Sequence, residues 1–232
     1  MKQPNSAHDR PSLLKLVNSP AYSHWKLLLF WPVFGILFAL AERGGLPVTY
    51  HPVYVPLDDR IPFCEYFLFA YLFWFAFLNG MLAYTIFFDQ PAFRRMMWFI
   101  ILTYSVTIAI YFLYPTCQEL RPVEFPRDNA LTRFIRWFYV FDTNTNVCPS
   151  IHVMGALSVL CTAWHCKGFQ HPGWKWAFGV SALLICLSTV FLKQHSVVDV
   201  IMALPACLLA DRLCFRRKQP DKAALAWDAA SK

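Results

Sequence analysis

The sequence predicts an all-α fold: a polytopic membrane protein, a six-transmembrane-helix bundle with both termini cytoplasmic. Three observations carry that expectation. The 232-residue chain is 57% hydrophobic and 15% charged, whereas soluble domains are nearer one quarter charged. Its apolar residues fall in six long runs divided by polar or Gly- and Pro-rich connections. Of its 21 Lys and Arg, fourteen flank one set of run ends and seven the other, and the positive-inside rule then assigns the richer side, with both termini, to the cytoplasm.

Taken in order, residues 1–24 read as a polar, basic cytoplasmic leader. The first apolar run starts near Trp25 and is followed by no small-residue cleavage site, so it reads as a retained span rather than a signal peptide. Residues 25–215 form the membrane catalytic domain. Its predicted spans are Trp25–Ala41 with a kink at Pro32, Glu65–Phe88, Met96–Tyr114, Ser150–Cys166, Trp176–Leu192, and Ser196–Phe215 interrupted by Pro205. Several fall slightly short of the ~20 residues that cross a bilayer. Glu42–Cys64, Asp89–Arg95 and Lys167–Lys175 are loops. Pro115–Pro149 is a long polar connection holding an amphipathic helix, Asn129–Phe141, whose apolar face is Leu131, Phe134, Ile135 and Phe138. Such a helix lies in the membrane interface or packs over the bundle. Residues 216–232 are a cytoplasmic polar tail.

The net charge of +7 follows from this placement. No basic segment alternates with stacking aromatics, so nucleic acid is not an expected partner. Cys161, Cys186 and Cys207 sit inside apolar runs as small core residues. Cys64, Cys117 and Cys148 fall on the outer face, where any two are candidates for pairing. No zinc-ligand spacing appears, and neither a metal nor a cofactor is expected.

Chemistry concentrates on the outer face. Ionisable residues at membrane depth are costly and therefore functional candidates. His195 and Asp199 are four apart, on one face of a helix, so the carboxylate can orient the imidazole. Ser150 is a candidate N-cap that places Ile151 and His152 in the first turn of the fourth span. The first amides of a helix favour anions. Arg121 offers a bidentate phosphate contact, Lys193 a point charge, and the hydroxyls of Ser150 and Ser188 further contacts. Two histidines beside a bound phosphate predict covalent catalysis, with His195 as nucleophile and His152 as general acid.

These residues carry a resemblance. Pro149-Ser150-Ile151-His152 and the stretch Ser188–Asp199, STVFLKQHSVVD, resemble two motifs of the type 2 phosphatidic acid phosphatase superfamily, PSGH and SRxxxxxHxxxD. Arg121-Pro122 matches the end of the family's third motif, KxxxxxxRP. The resemblance implies a six-helix membrane fold, an outer-face site within residues 114–199, a phosphohistidine at His195 and a membrane lipid phosphate or pyrophosphate as substrate. Tyr114 stands at the motif lysine, Thr189 at the motif arginine and Ile151 at the motif glycine. Such relaxed motifs are similar to the branch holding inositol phosphorylceramide and sphingomyelin synthases, which implies headgroup transfer as the alternative to hydrolysis. A lipid-binding or transport protein that keeps the fold without catalysis is the reading of another class. The expected location is the plasma membrane.

Each residue also has a plainer reading. Asp199 is a helix-start charge, Ser188 a hydroxyl bonded within its own helix, and Lys193 a snorkelling side chain. Tyr114 reads as an interfacial aromatic.

Overall fold

The computed structural model describes residues 23–45 and 47–216. The expected leader up to residue 22 and the tail beyond 216 lie outside them. The described chain is mostly helical. A 3-10 turn, Ser23–Leu29, leads into α1 (Phe30–Arg43). Two-residue strands β1 (His51–Pro52) and β2 (Thr116–Cys117) pair in parallel, His51 opposite Thr116. Between them lie the short α2 (Pro56–Arg60), a 3-10 turn Glu65–Phe67 opening α3 (Leu68–Phe88), and α4 (Gln90–Leu113). Then follow α5 (Ala130–Phe141), α6 (Ile151–His165), α7 (Pro172–Phe191) and α8 (Val197–Asp211), the last continued by a π-helical turn, Arg212–Arg216.

Four helical segments are long and apolar enough to cross a membrane: Ser23–Arg43, Glu65–Phe88, Gln90–Leu113 and Pro172–Phe191. Ile151–His165 is a shorter apolar helix. Large apolar side chains stand exposed on the outside of the bundle, among them Ile36 (62%) on α1, Phe69 on α3, Trp176 (75%) on α7 and Leu208 on α8. An apolar exterior spread over four helices is consistent with a membrane protein.

Helix boundaries differ from the sequence expectation where capping overrides hydropathy. The expected loop Asp89–Arg95 shrinks to Asp89 alone. Its carboxylate accepts from the Ala92 amide at 3.1 Å, and Pro91 sits in the first turn of α4. An N-cap followed by proline starts a helix whatever the polarity of the turn after it. Pro32 falls in the first turn of α1, where a missing N–H costs little. Pro205 lies within α8 without ending it. The amphipathic segment forms a helix as expected, Ala130–Phe141, with the Asn129 carboxamide capping the Leu131 and Thr132 amides. All eight cysteines are free thiols.

α6 is the hub, packed against α3, α4, α7 and α8. Its buried face is built from small and β-branched residues, including Gly155, Ala156, Ser158, Val159, Thr162 and Ala163. Ser158 and Thr162 donate to the carbonyls of Gly155 (2.7 Å) and Ser158 (2.6 Å), so neither hydroxyl is left unpaired in the apolar interior. Gly155 sets the spacing of three helices. A Cβ there would meet Trp74 Nε1 at 2.7 Å and Tyr104 Oη at 2.9 Å.

One end of the bundle gathers nearly all the long connections. There the Cys64 amide donates to Phe191 O (3.0 Å), His51 N to Pro115 O (2.9 Å), Thr145 Oγ1 to Glu42 Oε2 (2.9 Å) and Ser150 N to Asp199 O (3.1 Å). The opposite end is tied by Cys166 Sγ to Asp89 Oδ2 at 3.2 Å.

Overpacking the hub is the direct test of this arrangement. Gly155→Ala is expected to cost about 1–3 kcal/mol, read as a lower unfolding midpoint in detergent. At Gly179 an added Cβ meets nothing within 4 Å, so Gly179→Ala is expected to be neutral or stabilising by up to about 1 kcal/mol.

Candidate active site

The turn between α7 and α8 carries the first half of the site. Ser196 caps α8 and its hydroxyl accepts from Val198 N at 3.2 Å. Capping fixes the first turn, and the turn places His195 beside Asp199. Asp199 Oδ2 accepts from His195 Nδ1 at 3.1 Å and from the Ser196 amide at 3.0 Å. The helix-start reading and the histidine-orienting reading of Asp199 are thus one arrangement, made by one oxygen. With Nδ1 occupied, Nε2 is the nitrogen that remains for chemistry.

The turn is held from behind. Lys193 takes a left-handed conformation, φ 54°, and the amides of Gln194 and His195 both donate to Thr189 O, at 2.9 and 3.0 Å. Asp58 of α2, only 2% exposed, accepts from Ser196 Oγ at 2.6 Å and from Val197 N at 2.9 Å. Its backbone carbonyl takes Lys193 Nζ at 2.6 Å. Gln118 Nε2 donates to Lys193 O at 2.9 Å.

The second half begins at Ser150, the N-cap of α6. Its amide donates to Asp199 O, which docks the start of α6 on the start of α8. Two tyrosines of α4 fix the same stretch from the other side, Tyr111 donating to Pro149 O (2.9 Å) and Tyr104 to Ile151 O (3.1 Å). His152 follows in the first turn. Its ring packs between Tyr71 and Trp74, with centroids 4.5 and 4.6 Å away, and Nδ1 lies 3.5 Å from Tyr71 Oη. Tyr71 donates in turn to Asp142. The rings of His152 and His195 are 5.7 Å apart, centroid to centroid.

Both rings line one cavity of about 210 Å³. Glu42, Tyr111, Asp142, Asn146 and Gln194 also contribute to its wall. Arg121, Ser150, Ser188 and Lys193 are not among its lining residues, and each is engaged elsewhere. Arg121 donates to Tyr139 O at 2.9 Å, to Asp142 O and to Gln194 Oε1 at 2.5 Å, and stacks over the Tyr139 ring at 4.3 Å. It caps the C-terminal carbonyls of α5, a favourable place for a cation. Burial pulls its pKa below the ordinary guanidinium value, while Asp142 supports its charge. Burial likewise lowers the pKa of Lys193, against the pull of Asp58 and Asp59. Ser188 is fully buried and donates its single hydroxyl proton to Ile185 O at 2.6 Å. Tyr114, where the motif lysine would stand, is exposed and stacks on His51 at 4.0 Å.

The structure therefore brings His152, His195 and Asp199 together and directs the expected phosphate cations into the scaffold. It also adds residues that the sequence did not single out. Asp58, Tyr71 and Asp142 lie in segments read only as loop, aromatic packing or loop. Gln194 sits inside the motif itself and bridges Arg121 to Asp142, donating to Asp142 Oδ2 at 2.8 Å. Among the described residues, no group of three or more His, Cys, Asp or Glu is placed to hold a metal ion.

No family model, no curated protein and no solved structure matches the chain.

Asp58 is the test of the support. Asp58→Ala strands a buried hydroxyl and an amide and releases the His195 turn, and is expected to cost about 3 kcal/mol. Thermal unfolding in detergent measures it. Asp59→Ala, one residue away on an exposed side chain, is expected to change the midpoint little.

Proposed function

We propose that this protein is an integral-membrane lipid phosphotransferase that works through a phosphohistidine at His195, with water or a lipid alcohol as the final acceptor. The single observation that carries this reading is the pair of histidines facing one cavity, His195 held by Asp199 and His152 backed by Tyr71 and Asp142. The likeness of these residues to the motifs of the type 2 phosphatidic acid phosphatases supports it. In this reading six spans cross the bilayer, α6 and α8 as the two shorter ones, both termini are cytoplasmic, and the cavity opens on the outer face.

The chemistry follows from the geometry. Asp199 holds His195 Nδ1, so Nε2 attacks phosphorus and an N–P bond forms as the bond to the leaving oxygen breaks. His152 gives that oxygen its proton. The acceptor hydroxyl then passes its proton to His152 and attacks phosphorus, and the N–P bond breaks. The N-terminus of α6, which carries His152, supplies positive potential beside the reacting centre, whereas the first amides of α8 are taken by Asp58 and Ser196.

Hydrolysis of a phosphatidic-acid-like phosphomonoester is one form of this reaction, and headgroup transfer between lipids is the second. A specific observation favours the second. Arg121 and Lys193, the cations expected to neutralise a phosphate dianion, are occupied by protein acceptors, and the cavity wall carries Glu42 and Asp142. A phosphodiester carries one negative charge fewer and suits such a wall better.

His195→Ala is expected to abolish release or transfer of phosphate from lipid substrates by the purified protein. His152→Ala is expected to lower it about 10²–10⁴-fold and to remove one limb of a bell-shaped pH–rate profile. Full activity in His195→Ala sinks the mechanism.

Vanadate, as a phosphate mimic, is expected to raise the thermal midpoint of the wild type and not that of the His152→Ala, His195→Ala double variant. A protein that neither binds vanadate nor turns over any lipid phosphate belongs to the non-catalytic, lipid-binding class.

A further inference from the structure

The ends of α6 and α7 remote from the histidines form a second concavity, which the phosphotransfer steps do not use. α6 carries His152 in its first turn and Trp164 near its last residue, about 18 Å further along the axis. α7 begins at Pro172 and runs back toward the histidines. Along α7, Lys175, Gly179 and Leu183 are spaced four apart, and so are Trp176 and Val180 beside them. That spacing makes them one stripe on the helix. Trp164 of α6 closes the other side. The result is a groove of about 430 Å³, within the ~300–1,000 Å³ of small-molecule pockets. Gly179 opens its floor, because the space where a Cβ would stand is empty to 4 Å.

Lys175 is the one charged residue in that lining, and it is half-buried. None of the ion pairs among the described residues involves it. The carboxylates at this end of the bundle are occupied. Asp89 accepts from Ala92 N, Cys166 Sγ and Lys167 N, and Asp211 accepts from Arg216 Nε. The N-terminus of α7 adds positive potential at the same place. Trp164 and Trp176 are both more than half exposed, as tryptophans are where a helix end meets the lipid headgroups. Two wider apolar grooves on the bundle, of about 560 and 600 Å³, have no cation in their walls. A lysine that only snorkels needs no concavity beneath it. An apolar groove with an unpaired cation at its end is complementary to an amphiphile with an alkyl chain and an anionic head.

We infer that the groove between α6 and α7 binds one anionic glycerophospholipid, with an acyl chain laid along Gly179 and Leu183 between Trp164 and Trp176 and its phosphate on Lys175. The inference does not depend on the phosphotransfer reading; it needs only a bilayer around the apolar helices. From Lys175 to Leu183 the stripe is about 12 Å long, most of the ~15 Å depth of one leaflet. The chain therefore lies along the bilayer normal with its head at the helix end. The exposed flanks of Val180 and Leu183 leave the second chain in the surrounding lipid, which is why the occupant is a phospholipid rather than a free fatty acid. A single negative charge matches a single lysine, the pairing by which basic sites between spanning helices select anionic heads. The bound lipid touches both walls and so ties the hub helix to α7 at the end far from the histidines.

Non-denaturing mass spectrometry of the full chain in detergent, titrated with phosphatidylglycerol, phosphatidylcholine or oleate, tests the site, with the thermal midpoint as a second readout. The wild type is expected to retain one phosphatidylglycerol about tenfold more tightly than phosphatidylcholine, the size of one charge-assisted contact, and to unfold at a higher temperature with it. Lys175→Gln is expected to remove that preference. Gly179→Leu is expected to weaken retention of both phospholipids by filling the groove. Lys167 is an exposed cation of the turn before α7 that does not line the groove, and Lys167→Gln is expected to leave the preference intact. Equal retention of the two phospholipids by the wild type, or retention of neither, overturns the site. So does a preference that survives Lys175→Gln, or one that falls as far in Lys167→Gln. Oleate held as tightly as phosphatidylglycerol, or more tightly, overturns a phospholipid as the occupant. Lys175→Gln changes a half-exposed side chain and decides the matter even where Gly179→Leu fails to fold.

Discussion

The site depends on Asp199 more than on any other residue. Its Oδ2 accepts from His195 and from the Ser196 amide, and its backbone carbonyl accepts from Ser150, the N-cap of the helix that carries His152. One residue thereby sets the tautomer and orientation of one histidine, begins α8, and fixes where α6 begins. Two helix N-termini are brought side by side by a single backbone hydrogen bond. A buried carboxylate, 0% exposed, is costly to hold in an apolar bundle, and these contacts are what make its burial tolerable.

Around that centre the polar groups divide into two sets. One set is structural: Asp58, Lys193, Gln118 and Ser188 spend their hydrogen bonds on the turn before α8 or on their own helix. The other faces the cavity: His152, His195, Glu42, Asn146 and Gln194. Arg121 belongs to the first set, because its guanidinium closes the end of α5 and fixes Gln194. The cavity is left with acceptors and imidazoles and little fixed positive charge. In the proposed reading, that balance favours transfer of a phosphodiester over hydrolysis of a dianionic monoester.

Much of this arrangement was legible in the sequence, and the misses have physical causes. The His195–Asp199 spacing is a property of one helix turn, so four residues of sequence suffice to read it. Ser150 as an N-cap and the amphipathic helix over Ala130–Phe141 are equally local. The helix starts at Gln90 and Pro172 precede the boundaries that hydropathy predicts, because capping by Asp89 and His171 extends helices into segments that hydropathy assigns to loops. Arg121 and Lys193 show the converse limit. Their charge is visible in sequence, but the partner that consumes it comes from a segment tens of residues away, Asp58 for Lys193 and the end of α5 for Arg121. Asp58, Asp142 and Asn146 sit in connections without periodicity or motif, so their roles become readable only when the helices bring those connections to one end of the bundle.

The covalent intermediate is the most direct point of decision. The purified protein, mixed with a lipid phosphoester labelled in its phosphoryl group and quenched in alkali, which preserves phosphohistidine, is digested and its labelled peptide sequenced by mass spectrometry. The account predicts label on His195 alone, present in the wild type and absent from His195→Ala. Turnover with no labelled histidine, or label on His152 with His195 unmodified, contradicts it.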